Sequence, residues 1–173
     1  MKLLLTTLTL FGLAISCTAE DKKITVGEFT FAVPAPWTEG QPTGMFDKAA
    51  LNYPSEGGTP VIAKFSEFPG GGGGVEANVK RWVGQFEGGS PEQKREDLTF
   101  GEVQVVLLTL TGTFLDGPPM SASKTPRPDY QMLGAILMGK EIATFIKFTG
   151  PKADVAKAAE AFKKLATSPF PAK

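Results

Sequence analysis

The chain has 173 residues, with 18 basic and 18 acidic side chains, no histidine and one cysteine. The balanced charge argues against a nucleic-acid-binding protein, because such proteins carry a basic excess that neutralises phosphates. Without histidine, Ser-His-Asp and Cys-His catalysis and histidine-ligated metal sites are excluded. With a single cysteine, no disulfide forms within the chain.

Residues 1–19 are typical of an export signal. A basic start at Lys2 precedes an apolar run from Leu3 to Ile15, and small residues follow up to Ala19. This run is shorter than the roughly 20 apolar residues that a membrane-spanning helix needs. We therefore expect residues 20–173 to form a single domain that is exported, either to the periplasm, to a membrane as a lipid-anchored protein, or to the medium.

The end of this signal has two interpretations. The order Leu13-Ala14-Ile15-Ser16-Cys17 resembles a bacterial lipoprotein signal, which makes Cys17 a candidate for lipid attachment. Such signals usually carry leucine three positions before the cysteine, where this chain has Ala14. Ordinary cleavage after Ser16 or Ala19 fits the small residues as well. A lipid at Cys17 is the only membrane contact that the sequence predicts.

Hydrophobic periodicity and turn signals predict the remaining elements. In chain order they are two short strands within 24–33, strands at 48–53 and 61–68, a helix at 75–86, strands at 96–100 and 103–114, a loop at 115–128, strands at 130–138 and 141–149, and a helix from 151. We expect an α+β fold with one twisted antiparallel sheet covered by amphipathic helices. The stretch Val105 to Leu108 is apolar on both faces, which predicts a place near the centre of the sheet.

Two irregular segments invite a functional interpretation. The loop 115–128 contains four prolines, and loops of this length are often functional or mobile. The run Gly70 to Gly74 lies between a strand and a helix, where phosphates can bind. However, it matches neither G-x-G-x-x-G nor a Gly-Lys-Ser/Thr motif, so a flexible linker is the simpler interpretation. No cofactor or metal ion is expected.

Two groups of polar residues are candidates for ligand binding. Asn78, Arg81 and Gln85 border the apolar stripe of the middle helix beside Trp82. They form either a polar rim around an aromatic anchor or an ordinary boundary around a core tryptophan. The second group lies where the long loop enters a strand, and it forms either a ligand-facing corner or a loop anchor. Its members are Arg127, Asp129 and Tyr130.

Several short motifs support a resemblance to known proteins. One set is similar to the PsbP/Mog-like α/β/α sandwich: Phe29-Thr30-Phe31, Pro34, Trp37, and Gly150-Pro151 heading a last helix that runs into Ser168 and Phe170. The segments 73–82 and 127–133 resemble stretches of uncharacterised exported proteins of planctomycete-type bacteria. The resemblance implies a sheet with helices on both faces and an accessory or binding role without catalytic residues.

Together these observations predict a non-enzymatic envelope protein that binds a partner protein or a small ligand through its loops. One alternative is a hydrolase of envelope or extracellular glycans that uses two carboxylates, although no spacing among the 18 acidic residues singles out a pair. Another is a purely structural component of a larger envelope assembly.

Overall fold

The computed structural model describes residues 22–118, 121 and 123–171. The predicted export signal and Cys17 lie outside these residues. The first five strands are β1 (Lys22–Val26), β2 (Phe29–Val33), β3 (Thr38–Gly40), β4 (Asp47–Tyr53) and β5 (Val61–Pro69). After helix α1 (Val75–Val83) come β6 (Glu92–Phe100), β7 (Val103–Asp116), β8 (Thr125–Met138) and β9 (Ile142–Pro151), then α2 (Lys152–Lys157) and α3 (Ala159–Thr167). Short 3-10 turns span Gly70–Gly73 and Glu87–Gly89.

The expectation of an α+β fold with a large antiparallel sheet is confirmed. Seven strands pair in the order β3-β4-β5-β9-β8-β7-β6, and β1 and β2 form a separate hairpin. Strand β7, which contains Val105 to Leu108, is second from one edge, so the prediction of a central place was wrong. These four residues are buried because both faces of the sheet are covered at β7, not because the strand is central.

The two faces of the sheet are covered to different extents. One face packs against the β1–β2 hairpin and against α2 and α3, in a core that includes Phe31, Phe65 and Phe162. The other face packs against α1, in a second core built around Trp82. On β5, the residues that face the first core are buried, whereas Ile62 and its neighbours on the opposite face are only partly buried. The β1–β2 hairpin, α2 and α3 together therefore cover one face, whereas α1 covers the other only in part.

The run of five glycines is a folded turn and not the flexible linker that we expected. All five residues have positive φ angles, between 56° and 90°, a conformation that side-chain-bearing residues rarely adopt. The amide of Gly70 donates to the carbonyl oxygen of Glu141 at 2.8 Å. A Cβ atom at Gly72 would lie 3.0 Å from Cβ of Phe68 and 3.1 Å from the ring of Phe145. At position 72, glycine is thus required by both backbone conformation and space.

Both ends of the predicted loop at 115–128 belong to strands. Strand β7 continues to Asp116 and β8 begins at Thr125, so the connection spans only residues 117–124. Pro126 and Pro128 lie within β8, where the chain pairs with β7 alone, because pairing with β9 begins at Tyr130. Proline is tolerated on a strand whose other side is unpaired, which explains why these prolines do not break the strand.

Three smaller differences concern the start of one strand, an additional strand and the division of the last helix. Strand β6 begins at Glu92, four residues earlier than predicted, and the short strand β3 was not predicted. The last helix is divided at Ala158 into α2 and α3. Within residues 22–118, 121 and 123–171, none of the helices has the length and apolar character needed to cross a membrane.

Candidate functional site

The partly covered face of the sheet carries a row of residues that are paired from strand to strand. From β3 to β6 the row reads Gly40, Ala50, Lys64, Lys147, Gly134, Leu108 and Arg95. Lys64 on β5 and Lys147 on β9 are therefore directly opposite each other and point to the same face. Like charges in directly opposite positions of a sheet repel each other, so this pair is unfavourable on its own.

Lys147 lies where the covered and open parts of this face meet, and its side chain is largely enclosed. Its Nζ atom donates to Oε1 of Gln85 at 2.5 Å and lies 5.8 Å from the ring centre of Phe114. Burial lowers the pKa of Lys147 to about 8, and the positive charges of Lys64 and Arg81 contribute to the same shift. The negative charge of Asp47 raises the pKa of Lys147, but by a smaller amount.

Helix α1 approaches the sheet beside this lysine because Gly134 has no side chain. The ring of Trp82 lies on Gly134, where a Cβ atom would be 2.3 Å from Cζ3 of the tryptophan. Since Gly134 pairs with Lys147 across β8 and β9, the tryptophan fixes the helix next to the lysine. The Gln85 amide and the Arg81 charge then border the lysine on the helix side.

A buried hydroxyl group without a hydrogen-bond partner lies on the same face. Thr149 is two residues after Lys147 on β9, so both side chains point to one side of the sheet. Among the residues that the structure describes, no group donates to or accepts from its buried Oγ1 atom. Most buried polar groups are paired, so an unpaired hydroxyl beside a desolvated lysine is an unusual combination.

Aromatic rings form the apolar wall of the site. The rings of Phe114 and Tyr130 are stacked with their centres 6.3 Å apart and an angle of 5° between their planes. Phe86 contacts Phe114 edge-on at 5.5 Å. These contacts hold Phe114 in place next to Lys147.

The structure brings together four of the seven residues that the sequence suggested for ligand binding. Arg81, Trp82 and Gln85 surround Lys147, and Tyr130 supports it through Phe114. Trp82 does so as a buried core residue, with only 3% of its surface exposed.

The other three suggested residues lie elsewhere. Asn78 is fully buried; its amide donates to the carbonyl oxygens of Gly72 and Gly74, at 3.0 and 2.6 Å. It also accepts a hydrogen bond from Arg81, so it connects the glycine turn to α1. Arg127 pairs with Asp116 at 3.3 Å towards the outer end of the β7–β8 hairpin, and Asp129 is an exposed residue with a φ of 54°. Neither contacts the lysine site.

Sequence reasoning missed Lys64, Lys147 and Thr149. A signal was present in β9, where Phe145, Lys147 and Thr149 alternate with Thr144, Ile146 and Phe148. A lysine between two buried apolar residues indicates a strand face that changes from core to polar surface.

Four acidic residues take part in hydrogen bonds that stabilise the fold. All four have pKa values below the ordinary one because they accept hydrogen bonds from backbone amides or basic side chains: Glu28, Glu56, Glu67 and Asp97. Glu28, for example, accepts from the backbone amides of residues 140, 141 and 142. Within the described part of the chain, no three Cys, Asp or Glu side chains are grouped closely enough to hold a metal ion.

A separate hollow lies further along the open face. It has a volume of about 290 Å³ and is lined by Thr38, Asn52 and the proline-rich segments around them. Thr38 and Asn52 are paired across β3 and β4, and Asn52 is paired with Ile62 on β5. The hollow is thus on the same side of the sheet as Lys147, separated from it by about two strands.

No protein-family model and no curated protein matches the chain. Among solved structures, the chain is similar to the crystal structure of PA94 from Pseudomonas aeruginosa, a protein of unknown function. The sequence identity is 14% and the TM-score is 0.43, over 90% of this chain and 99% of the other. At this level of similarity we transfer neither a fold family nor a function to this chain.

Proposed function

We propose that this chain is an exported, non-enzymatic binding module that holds a small ligand on the open sheet face around Lys147. The observation that carries the proposal is a largely enclosed lysine directly opposite Lys64, next to the unpaired hydroxyl of Thr149. Enclosing a charged amine and placing a second amine beside it both cost free energy. Such costs are typical of binding and active sites, where ligand contacts offset them.

The surroundings of the lysine support binding more than catalysis. Lys147 is held by an amide and an aromatic ring, and no carboxylate that could act as its acid–base partner contacts it among the described residues. A glycosidase needs a carboxylic acid with a raised pKa, whereas Glu28, Glu56 and Glu67 have lowered values. No contact in the described residues favours the glycan hydrolase that we considered as an alternative.

Two finer points belong to the same proposal. The first is the PsbP/Mog-like arrangement, which is supported by helices on both faces of one antiparallel sheet, although α1 covers only part of its face.

The second is export, which is supported by the signal-like residues 1–19. The mass of the protein isolated from cell envelopes tests export. A chain beginning at Cys17 with an added diacylglycerol supports a lipid anchor, and a chain that retains Met1 to Ser16 contradicts export.

Fragment screening by NMR tests the binding site. The protein is labelled with ¹⁵N and titrated with a library of neutral, acidic and basic fragments. We expect the fragments that bind to shift amides of β5, β9 and the end of α1, and we expect Lys147→Met to reduce these shifts. The matched control is Lys94→Met, which removes an exposed lysine from β6. Fragments that bind only elsewhere, or equally well to the Lys147→Met variant, would show that this face is not the site.

A further inference from the structure

The positive charges around Lys147 are only partly balanced. The charged and titratable groups that face it are Lys64 on β5, Asp47 on β4, Arg81 on α1 and, through Phe114, Tyr130 on β8. Asp47 lies 3.9 Å from Lys64 and compensates that charge. Arg81 has a neutral partner, the amide oxygen of Asn78, and Lys147 has another, the amide oxygen of Gln85. Two cations of the site therefore lack a negative partner among the described residues.

Lys147 and Thr149 also have hydrogen-bond donors without an acceptor among the described residues. An ammonium group has three donors, and Gln85 accepts one of those of Lys147. The hydroxyl of Thr149 can donate as well, and it has no acceptor among the described residues. An oxygen anion placed between Lys64 and Lys147 would accept from these groups and reduce the repulsion between the two lysines.

We propose that the ligand of this face is a small organic carboxylate with an apolar body, and that it binds with Lys147 in its protonated form. This inference rests on the proposed function. A singly charged group suits the site better than a doubly charged phosphate, because Arg81 is directed at Asn78 and Lys64 is compensated by Asp47, which leaves Lys147 as the cation for a ligand. Asp47 would also repel additional negative charge. Ile62 and the ring of Phe114 provide apolar surface beside the lysines for the remainder of the molecule.

The inference predicts proton uptake on binding. The pKa of free Lys147 is about 8, and a bound carboxylate raises it by favouring the charged form. At pH 6.5 the amine is already protonated, so binding takes up almost no protons. At pH 9 the free amine is mostly neutral, and binding takes up about 0.9 proton per ligand. The affinity should accordingly be about tenfold weaker at pH 9 than at pH 7.

Isothermal titration calorimetry with benzoate, hexanoate and acetate tests the inference. Each probe is titrated at pH 6.5, 7 and 9 in pairs of buffers with different ionisation enthalpies, which gives the number of protons taken up. Benzyl alcohol serves as the neutral analogue of benzoate, and inorganic phosphate serves as the dianion. We expect benzoate or hexanoate to bind with the pH dependence above, and we expect Lys147→Met to weaken binding at least tenfold while Lys94→Met has no effect.

The outcomes separate this inference from the proposed function. If benzyl alcohol binds as tightly as benzoate and shows no pH dependence, the carboxylate assignment is overturned, whereas binding at this face stands. If phosphate binds more tightly than every carboxylate, or if none of the three carboxylates binds, the assignment is overturned as well. Carboxylate binding that persists in Lys147→Met would overturn both the assignment and the proposed site. Because the pH dependence is measured on the unmodified protein, the inference can be refuted even if a variant fails to fold.

Discussion

Replacing Lys147 by methionine should make the protein more stable at neutral pH. Methionine has a similar length and no charge, so it removes the cost of enclosing an ammonium group opposite Lys64. The pKa falls from the ordinary value of 10.5 to about 8, and at about 1.4 kcal/mol per pH unit this corresponds to about 3 kcal/mol. For a chain of this size, that gain would raise the Tm by about 6–12 °C.

The lowered pKa of Lys147 also determines how the stability gain of Lys147→Met depends on pH. Between pH 8 and 10.5 the unfolded chain keeps the proton on Lys147 and the folded chain has lost it. The stability of the unmodified protein therefore rises with pH in this interval, because the unfolded state binds more protons. The advantage of the Lys147→Met variant should be largest below pH 8 and should disappear towards pH 10.5.

Urea denaturation of both proteins at pH 7, 8, 9 and 10 measures this difference. The control is Lys94→Met on the exposed edge strand β6, for which we expect a change within about 0.5 kcal/mol at every pH. The reasoning is refuted if Lys147→Met is less stable than the unmodified protein at pH 7. It is also refuted if the gain is the same at pH 7 and pH 10, because the lysine would then have its ordinary pKa in the folded state.

Three further variants test the surrounding structure. Asn78→Asp keeps the shape of the side chain but replaces the amide donors to Gly72 and Gly74 by a carboxylate, so urea denaturation should show a loss of about 2–4 kcal/mol. Gly72→Ala should lower the Tm more than Gly70→Ala, since both strain a positive φ but only Gly72 is in close contact with other side chains; equal losses would contradict this. Glu28→Gln should lower the Tm at pH 7, because hydrogen bonds from three backbone amides hold the pKa of Glu28 below its ordinary value of 4.5. The difference should persist down to about pH 4.5 and be lost as the pH falls further, through the lowered pKa. A difference for Glu28→Gln that stays constant from pH 7 to pH 3 would contradict this explanation.

Periodic hydrophobic patterns were sufficient to predict most strands and helices. Alternation identified β5, a stretch that is apolar on both faces identified β7, and helical spacing identified α1, because each of these segments has at least one face in the core. A turn signal at residues 139–140 identified β8 and β9. Two of the predictions that failed, the central place of β7 and the long loop, depended on the pairing of strands. Pro126 and Pro128 favoured a loop, but their segment of β8 pairs with β7 alone, which no local pattern reveals.

Apart from Tyr130, the candidate site was predicted only from its helix side. Arg81 and Gln85 were found because they border an apolar stripe, which can be read from the contiguous segment 75–86. Lys64 and Lys147 are 83 positions apart in the sequence, and their opposition depends on the register between β5 and β9. Strand order and register result from tertiary packing, so this part of the site required the structure.

The unusual environment of Lys147 follows from the short length of α1. The helix has nine residues and is about 14 Å long, whereas seven strands extend over roughly 29 Å. It cannot cover the whole face, so part of the sheet beyond it remains open. Lys64 lies in the open part and keeps contact with water, whereas Lys147 lies at the boundary, where Trp82 and Gln85 exclude water on one side only. A ligand that binds at this boundary can reach the lysine from the open side without displacing the helix.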